Sequence, residues 1–344
     1  MEINQFKAGS EKRFFDFIGK LDDGKTALIS HNDLDGLISA KVANEALHAD
    51  YVDFVNYEDL NDSLVTQLKK KKFKKIVFTD LNITDEHFVK ALEHFADVLI
   101  IDHHLITKDW NSEKTTFVNV QGHCTAYLNY YLFSKTQDLE KMDWLVALAS
   151  VSDWCYFDNQ GFMKRIYEKY GDKFVIEDKK IRMNGKFWDM QWNLNLALIY
   201  FKDNLRKVYE SLGVEFGNVG NLMNYTRKIQ EELDFIVSKF EDEKEGINGG
   251  YFYQYKSKFD LGSIVINVIS GNNYDKTIVT VYPTEGGYKI SIRRQDGKLN
   301  VADYLKAMLT GFDNTLAGGH AKAAGGSIMK EDLEEFKERL RRGS

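Results

Sequence analysis

One proline and two cysteines in 344 residues are the first marks of this chain. Pro283 is the single proline, so no proline-rich linker marks a domain boundary. Cys124 and Cys155 have no CxxC partner. That argues against a disulfide framework and against a cysteine zinc site, and it fits a reduced, cytoplasmic setting. No stretch approaches the ~18 consecutive apolar residues of a membrane span. Residues 1–15 lack the apolar segment of a secretory leader. Basic charge is also scarce: 46 Lys and Arg against 52 Asp and Glu leave a net charge of −6. A general nucleic-acid coat would be basic, although bound divalent cations would offset several carboxylates. Internal repeats and low-complexity tracts are absent.

Hydrophobic residues make up 43% of the chain and aromatics 13%, enough to bury the cores of two domains. The first half alternates short apolar runs with helical patterns. Residues 26–30, 51–55, 75–79 and 98–101 read as strands; 36–46, 63–71 and 85–95 read as helices. Such alternation predicts an α/β fold with a parallel sheet covered on both faces. Residues 139–150 read as a helix ending before Asp153, and 187–240 as at least two helices. A charged run, 241–250, ends in Gly249-Gly250 and divides the chain. Beyond it, 251–255, 277–282 and 288–293 read as strands, with Gly286-Gly287 suited to a hairpin turn. Residues 261–270 fit either strand or helix, and 300–309 read as a helix.

The chemistry concentrates at predicted strand ends. His31, Asp33 and Asp35 alternate in Ser30-His31-Asn32-Asp33-Leu34-Asp35-Gly36. In extended chain they share one face, and Gly36 permits a tight turn into the next helix. Asp80 ends the third strand, and Asp102-His103-His104 ends the fourth. Open α/β sheets bind ligands at these carboxyl ends. Carboxylates suit hard divalent cations, and imidazole tilts the choice towards Mn²⁺ or a similar transition metal. Any one of these residues alone would be an ordinary cap or turn residue; their coincidence on one sheet edge points to a metal site. His48, His87, His94 and His123 have no such company and read as structural. The lysines between Lys69 and Lys75 read as a solvated helix end.

Those motifs resemble the DHH phosphoesterases, the superfamily of RecJ exonuclease, nanoRNases, cyclic-di-AMP phosphodiesterases and family II pyrophosphatases. Thr79-Asp80, Ser152-Asp153 and a C-terminal Gly318-Gly319-His320-Ala321-Lys322-Ala323-Ala324-Gly325-Gly326 complete the match. The last resembles the signature of the DHH-associated C-terminal domain. Leu34 stands where many relatives have proline, which brings the wording closer to the nanoRNase branch. The resemblance implies two divalent cations bridged by Asp80, with Mn²⁺ first and Mg²⁺ or Co²⁺ as alternatives. His31 and Asp33 would complete one site; Asp35, His103 and Asp153 the other. His104 would face the scissile phosphate, and Asp102 would orient an imidazole. Arg293, Gly318, Gly319 and His320 would bind substrate, with Arg294 directed away by strand alternation.

The implied organisation is a DHH catalytic domain at 1–185, a helical connector at 186–248 and a substrate-binding domain at 249–344. The implied activity is hydrolysis of short oligonucleotides to mononucleotides. Alternatives are a linear or cyclic dinucleotide phosphodiesterase, a 3′-phosphoadenosine 5′-phosphate phosphatase and a nucleic-acid-binding module with a degenerate site. Pyrophosphate suits the Gly-Gly-His segment and its nearby arginine less well than an organic phosphate. No membrane and no obligate protein partner are expected; a homodimer is left open.

Overall fold

The computed structural model describes residues 3–21, 24–177 and 180–343, in two compact units, Met1–Thr226 and Arg227–Ser344. The first opens with α1 (Glu11–Ile18), β1 (Thr26–His31), α2 (Leu34–Leu47) and β2 (Tyr51–Val55). It continues with α3 (Asp62–Lys70), β3 (Lys75–Thr79), α4 (Glu86–Glu93), β4 (Asp97–Asp102) and β5 (Thr115–Asn119). The five strands are all parallel, in the order β2-β1-β3-β4-β5. Then follow α5 (Thr125–Phe133), α6 (Asp143–Ser152), α7 (Gln160–Lys169), the short pair β6 (Ile176–Glu177) and β7 (Lys180–Ile181), α8 (Lys186–Tyr200) and α9 (Leu205–Ser211).

The sheet divides its side chains between two cores. Leu28, Val77, Leu99 and Val118 enter the layer shared with α2, α5 and α6. Ala27, Ile29, Ile76, Phe78, Val98 and Phe117 enter the layer with α3 and α4. Burial on both faces is why these strands are continuous apolar runs rather than alternating ones. The lysine cluster needs correction at one end. Lys69 to Lys72 are exposed at the close of α3, but Lys75 is buried. Its ammonium lies 2.8 Å from Asp97, because the first residue of a central strand has no route to open water.

β1 is tied to α2 by a close backbone approach. Asp33 caps the helix, its Oδ1 accepting the Gly36 N–H at 2.9 Å. Ser30 Oγ lies 2.6 Å from Gly36 O and 3.1 Å from Thr79 O, so one hydroxyl links β1, β3 and the turn. A Cβ on Gly36 would stand 2.3 Å from His31 O. Gly36→Ala is therefore expected to cost about 1–3 kcal/mol through forced backbone displacement. Urea unfolding of the two proteins checks this; an unchanged midpoint would mean the turn yields freely.

α10 (Met223–Glu243) runs across the division between the units. α8 and α9 lie in the first unit. The second unit has β8 (Glu245–Ile247), β9 (Gly250–Gln254), α11 (Gly262–Asn272), β10 (Thr277–Thr284) and β11 (Gly287–Arg293). α12 (Val301–Leu309), β12 (Leu316–His320), β13 (Ala323–Ile328) and α13 (Leu333–Arg342) complete it. Its sheet runs β12-β13-β11-β10-β9-β8, antiparallel except for β9 with β10. Val279, Val281, Ile290 and Ile292 pack against Leu305 of α12 and Phe336 of α13. Residues 262–272 resolve as helix. Their β-branched side chains are carried by burial of Val265, Ile266 and Ile269, which outweighs weak local propensity.

Candidate metal centre and phosphate-binding residues

The carboxyl ends of β1, β3 and β4 bring the expected residues together. His31 Nδ1 lies 2.9 Å from Asp33 Oδ2 and 3.9 Å from Asp80 Oδ2. His103 Nε2 lies 3.5 Å from Asp80 Oδ1 and 3.4 Å from Asp153 Oδ2. Asp80 therefore stands between two groups, one with His31 and Asp33, the other with His103 and Asp153. It adopts a left-handed backbone, φ 59°, which aspartate tolerates better than most residues. Its N–H donates to Ile101 O at 3.0 Å, and Thr125 Oγ1 donates to its Oδ1 at 3.0 Å.

The donor set fits a divalent cation. His31 Nδ1 is buried and makes no hydrogen bond, despite the nearby Asp33 oxygen. Two ligand atoms stand side by side there, rather than a donor aimed at an acceptor. Burial and the charges of Asp35 and Asp33 push the Asp80 carboxyl well above the usual range. Burial and the Asp35 charge push Asp153 up to about 7. Mutually repelling buried carboxylates with imidazole nitrogens between them are what a hard or borderline cation relieves.

His104 stands beside this pairing, tied to Asp102. Asp102 Oδ1 holds its Nδ1 at 2.7 Å, and Asn119 Nδ2 donates to its carbonyl at 3.0 Å. Burial alone would lower the His104 pKa; the Asp102 hydrogen bond and charge outweigh it and raise it. Its Nε2 is left facing Tyr57, whose hydroxyl is 3.2 Å away. Nε2 can also reach the Asp80 and His103 group, whose ligand atoms all lie within 4.8 Å of one another.

Asp35 departs from the expected ligand set. It is buried in the first turn of α2, and its two oxygens accept the Thr125 and Ala126 N–H groups at 2.8 and 3.0 Å. It thereby anchors the N-terminus of α5, where a carboxylate complements the helix dipole. It belongs to none of the close ligand groups found among the described residues. Cys155 takes a place there instead. Its Sγ is 3.4 Å from Asp153 Oδ2 and 3.8 Å from His103 Nδ1. Tyr57, Thr125 and Cys155 were not legible as site residues; the spacing of Cys155 two residues after Asp153 was the one available signal. His123 is structural, its Nε2 accepting the Asn4 N–H at 3.2 Å.

The second unit places its candidates on one row of its sheet. Arg293 pairs with Ala323, and Ala323 with His320, so the arginine and histidine flank a small residue across three strands. Arg293 Nε donates to Asn267 Oδ1 at 3.2 Å, and its Nη1 to Ala324 O at 3.2 Å. Arg294, just past the end of β11, is held by Asp296 at 2.9 Å. Gly318 and Gly319 lie within strand β12, not in a turn. A Cβ on Gly319 would stand 2.4 Å from Ala323 O, so this glycine is needed first for the hairpin itself. His320 is exposed.

Comparison with known proteins agrees with this layout. The DHH family N-terminal domain matches residues 25–150, and the DHHA1 domain matches residues 248–342. No curated protein matches the chain. A crystal structure of the exonuclease RecJ bound to manganese is similar in fold, with a TM-score of 0.66 at 16% identity over 99% of this chain and 95% of that one. RecJ from Thermus thermophilus in complex with Mn²⁺ gives 0.67 at 17% identity, over 99% of this chain and 55% of that one. CDC45 from Entamoeba histolytica gives 0.64 at 8% identity, over 97% and 98%. No helix among the described residues is long and apolar enough to cross a membrane. With both domains in order, and the motif residues gathered at the strand ends of the first, the chain belongs to the DHH superfamily of metal-dependent phosphoesterases.

Proposed function

We propose that this phosphoesterase uses two divalent cations, Mn²⁺ first among them, to remove mononucleotides from short oligonucleotides. One observation carries the reading: two ligand groups, His31–Asp33–Asp80 and Asp80–His103–His104, share Asp80 at one sheet edge, and His103 also joins Asp153 and Cys155 in a third. His31 and Asp33 would hold one ion with Asp80; His103 and Asp153 would hold the other. Asp35 backs the second group with its charge while anchoring α5. Cations held by these residues would supply Lewis acidity for activating water and neutralising phosphoryl charge. RecJ, described in one structure as an exonuclease bound to manganese, supports both the cation and the nucleotide substrate.

The chain's own groups do the rest. Asp102 takes the His104 Nδ1–H, so Nε2 is the imidazole position free to meet a phosphoryl oxygen. Arg293 and His320 supply cationic and donor groups for a further phosphate. The net charge of −6 and a single Arg293–His320 row favour a grip on few phosphates. Binding of a substrate to a turnover-deficient variant should then depend weakly on salt, with a log–log slope of about −1 to −2.

Kinetics with Mn²⁺ on single strands, from dinucleotides to about thirty nucleotides, test the reading. Short substrates should be processed fastest, and Arg293→Ala should raise KM most where a second phosphate is present. Faster processing of the longest strand, with a steep salt slope, would replace this reading with a long-strand exonuclease.

A further inference from the structure

The proposed chemistry uses the ends of β1, β3 and β4 but leaves β2 without a role. That strand runs directly into a 3₁₀ turn, Tyr57–Asp59. The turn is fixed by Asp59 Oδ2, which accepts the Asn56 N–H at 2.9 Å, and by the Leu60 N–H, which donates to Tyr57 O at 3.2 Å. It presents Tyr57 to the metal centre with its side chain held at two points. The ring centroid lies 4.7 Å from that of His31 with the planes 30° apart. The hydroxyl lies 3.2 Å from His104 Nε2. The residue is nevertheless 44% exposed, so a ligand can reach it.

We propose that Tyr57 is a catalytic residue whose hydroxyl, paired with His104 Nε2, turns to donate its hydrogen bond to one non-bridging oxygen of the scissile phosphate. The inference rests on the phosphodiesterase reading and adds a substrate-contacting group to it. An oxygen seated beside the 3.2 Å Tyr57–His104 pair would lie about 2.8 Å from the hydroxyl, an ordinary hydrogen-bond length. A phenol keeps its proton at neutral pH and can donate it. A hydroxyl whose ring is held on His31 needs only its O–H to rotate as charge builds on the oxygen, which is when a donor contributes most. A tyrosine that only packed on His31 would need neither its hydroxyl nor the alignment with Nε2.

The test compares the wild type with Tyr57→Phe and Tyr57→Ala, using Mn²⁺, the dinucleotide pApA and bis-p-nitrophenyl phosphate. Tyr57→Phe keeps the ring on His31 and removes only the donor. Both variants should bind Mn²⁺ as the wild type does and keep KM within about twofold, while kcat falls about 100-fold. Orthovanadate, which resembles the phosphoryl transition state, should inhibit Tyr57→Phe less well by a similar factor. Inhibition by AMP, the product, should not change. A Tyr57→Phe variant with wild-type kcat beside an impaired Tyr57→Ala would reduce the residue to packing and overturn the proposal. Loss of bound Mn²⁺ in Tyr57→Phe would overturn it too. An active wild type is the condition that separates the two ideas. If it turns over neither substrate, the phosphodiesterase reading itself fails, and the Tyr57 donor with it.

Discussion

Asp80→Ala is expected to reduce turnover to the uncatalysed level and to weaken both cations together. Asp80 Oδ2 faces His31 and Oδ1 faces His103, so one carboxylate serves both ligand groups. Asp33→Ala should mainly strip the ion on the His31 side. Calorimetric titration with Mn²⁺ reads this directly: an Asp80→Ala protein that still binds two ions with unchanged affinity would end the bridging assignment. Alanine is also less comfortable than aspartate at φ 59°. Asp80→Asn is the control, because asparagine tolerates that backbone and can keep a partner for Thr125 Oγ1. Thermal melting gives a second measurement. Cation at about 100 times its Kd should stabilise the wild type by about 2.7 kcal/mol, and Asp80→Asn by far less.

The second large effect separates two adjacent histidines. His103 Nε2 looks at Asp80 and Asp153; His104 is turned by Asp102 so that Nε2 faces Tyr57. His103→Ala should lose cation and, with it, activity. His104→Ala should keep its cations and lose kcat by about 10²–10³-fold, the usual effect of removing a donor from developing charge. Metal analysis of the two purified variants decides the matter. Equal metal loss in both would place His104 in the ligand set, a role its proximity to Asp80 also allows.

The sequence exposes this centre unevenly, for physical reasons. β1, β3 and β4 are buried on both faces, so they appear as unbroken apolar runs, and their terminal carboxylates and imidazoles stand out against them. β5 did not stand out. Thr115-Thr116-Phe117-Val118-Asn119 is short and half polar, and it becomes a strand only by pairing with β4 and by its bridge to Ala8. α5 was hidden for the opposite reason. Its residues are buried on nearly every side, so no amphipathic period marks it. With α5 unseen, the anchoring of its amides by Asp35 could not be inferred. Tyr57 lies on a turn and meets His31 and His104 only through tertiary packing. Gly318-Gly319 carries no apolar pattern of a strand. Pairing with Ala324 and Gly325 makes it an edge strand, a tertiary effect that overrides local preference.

All the proposed cation ligands lie in the unit ending at Thr226, whereas the second unit has a sheet and core of its own. Ligand binding stabilises only the conformation that holds the ligand. The free energy released by Mn²⁺ therefore enters the folding equilibrium of one half of the polypeptide. The other half relies on Leu305, Phe336 and the strands they cover. A single unfolding free energy for the whole chain is then not a well-defined quantity. A chelator weakens only the unit that would hold the cations, whereas denaturant weakens both, and chain integrity during storage or purification depends on which unit each condition opens first.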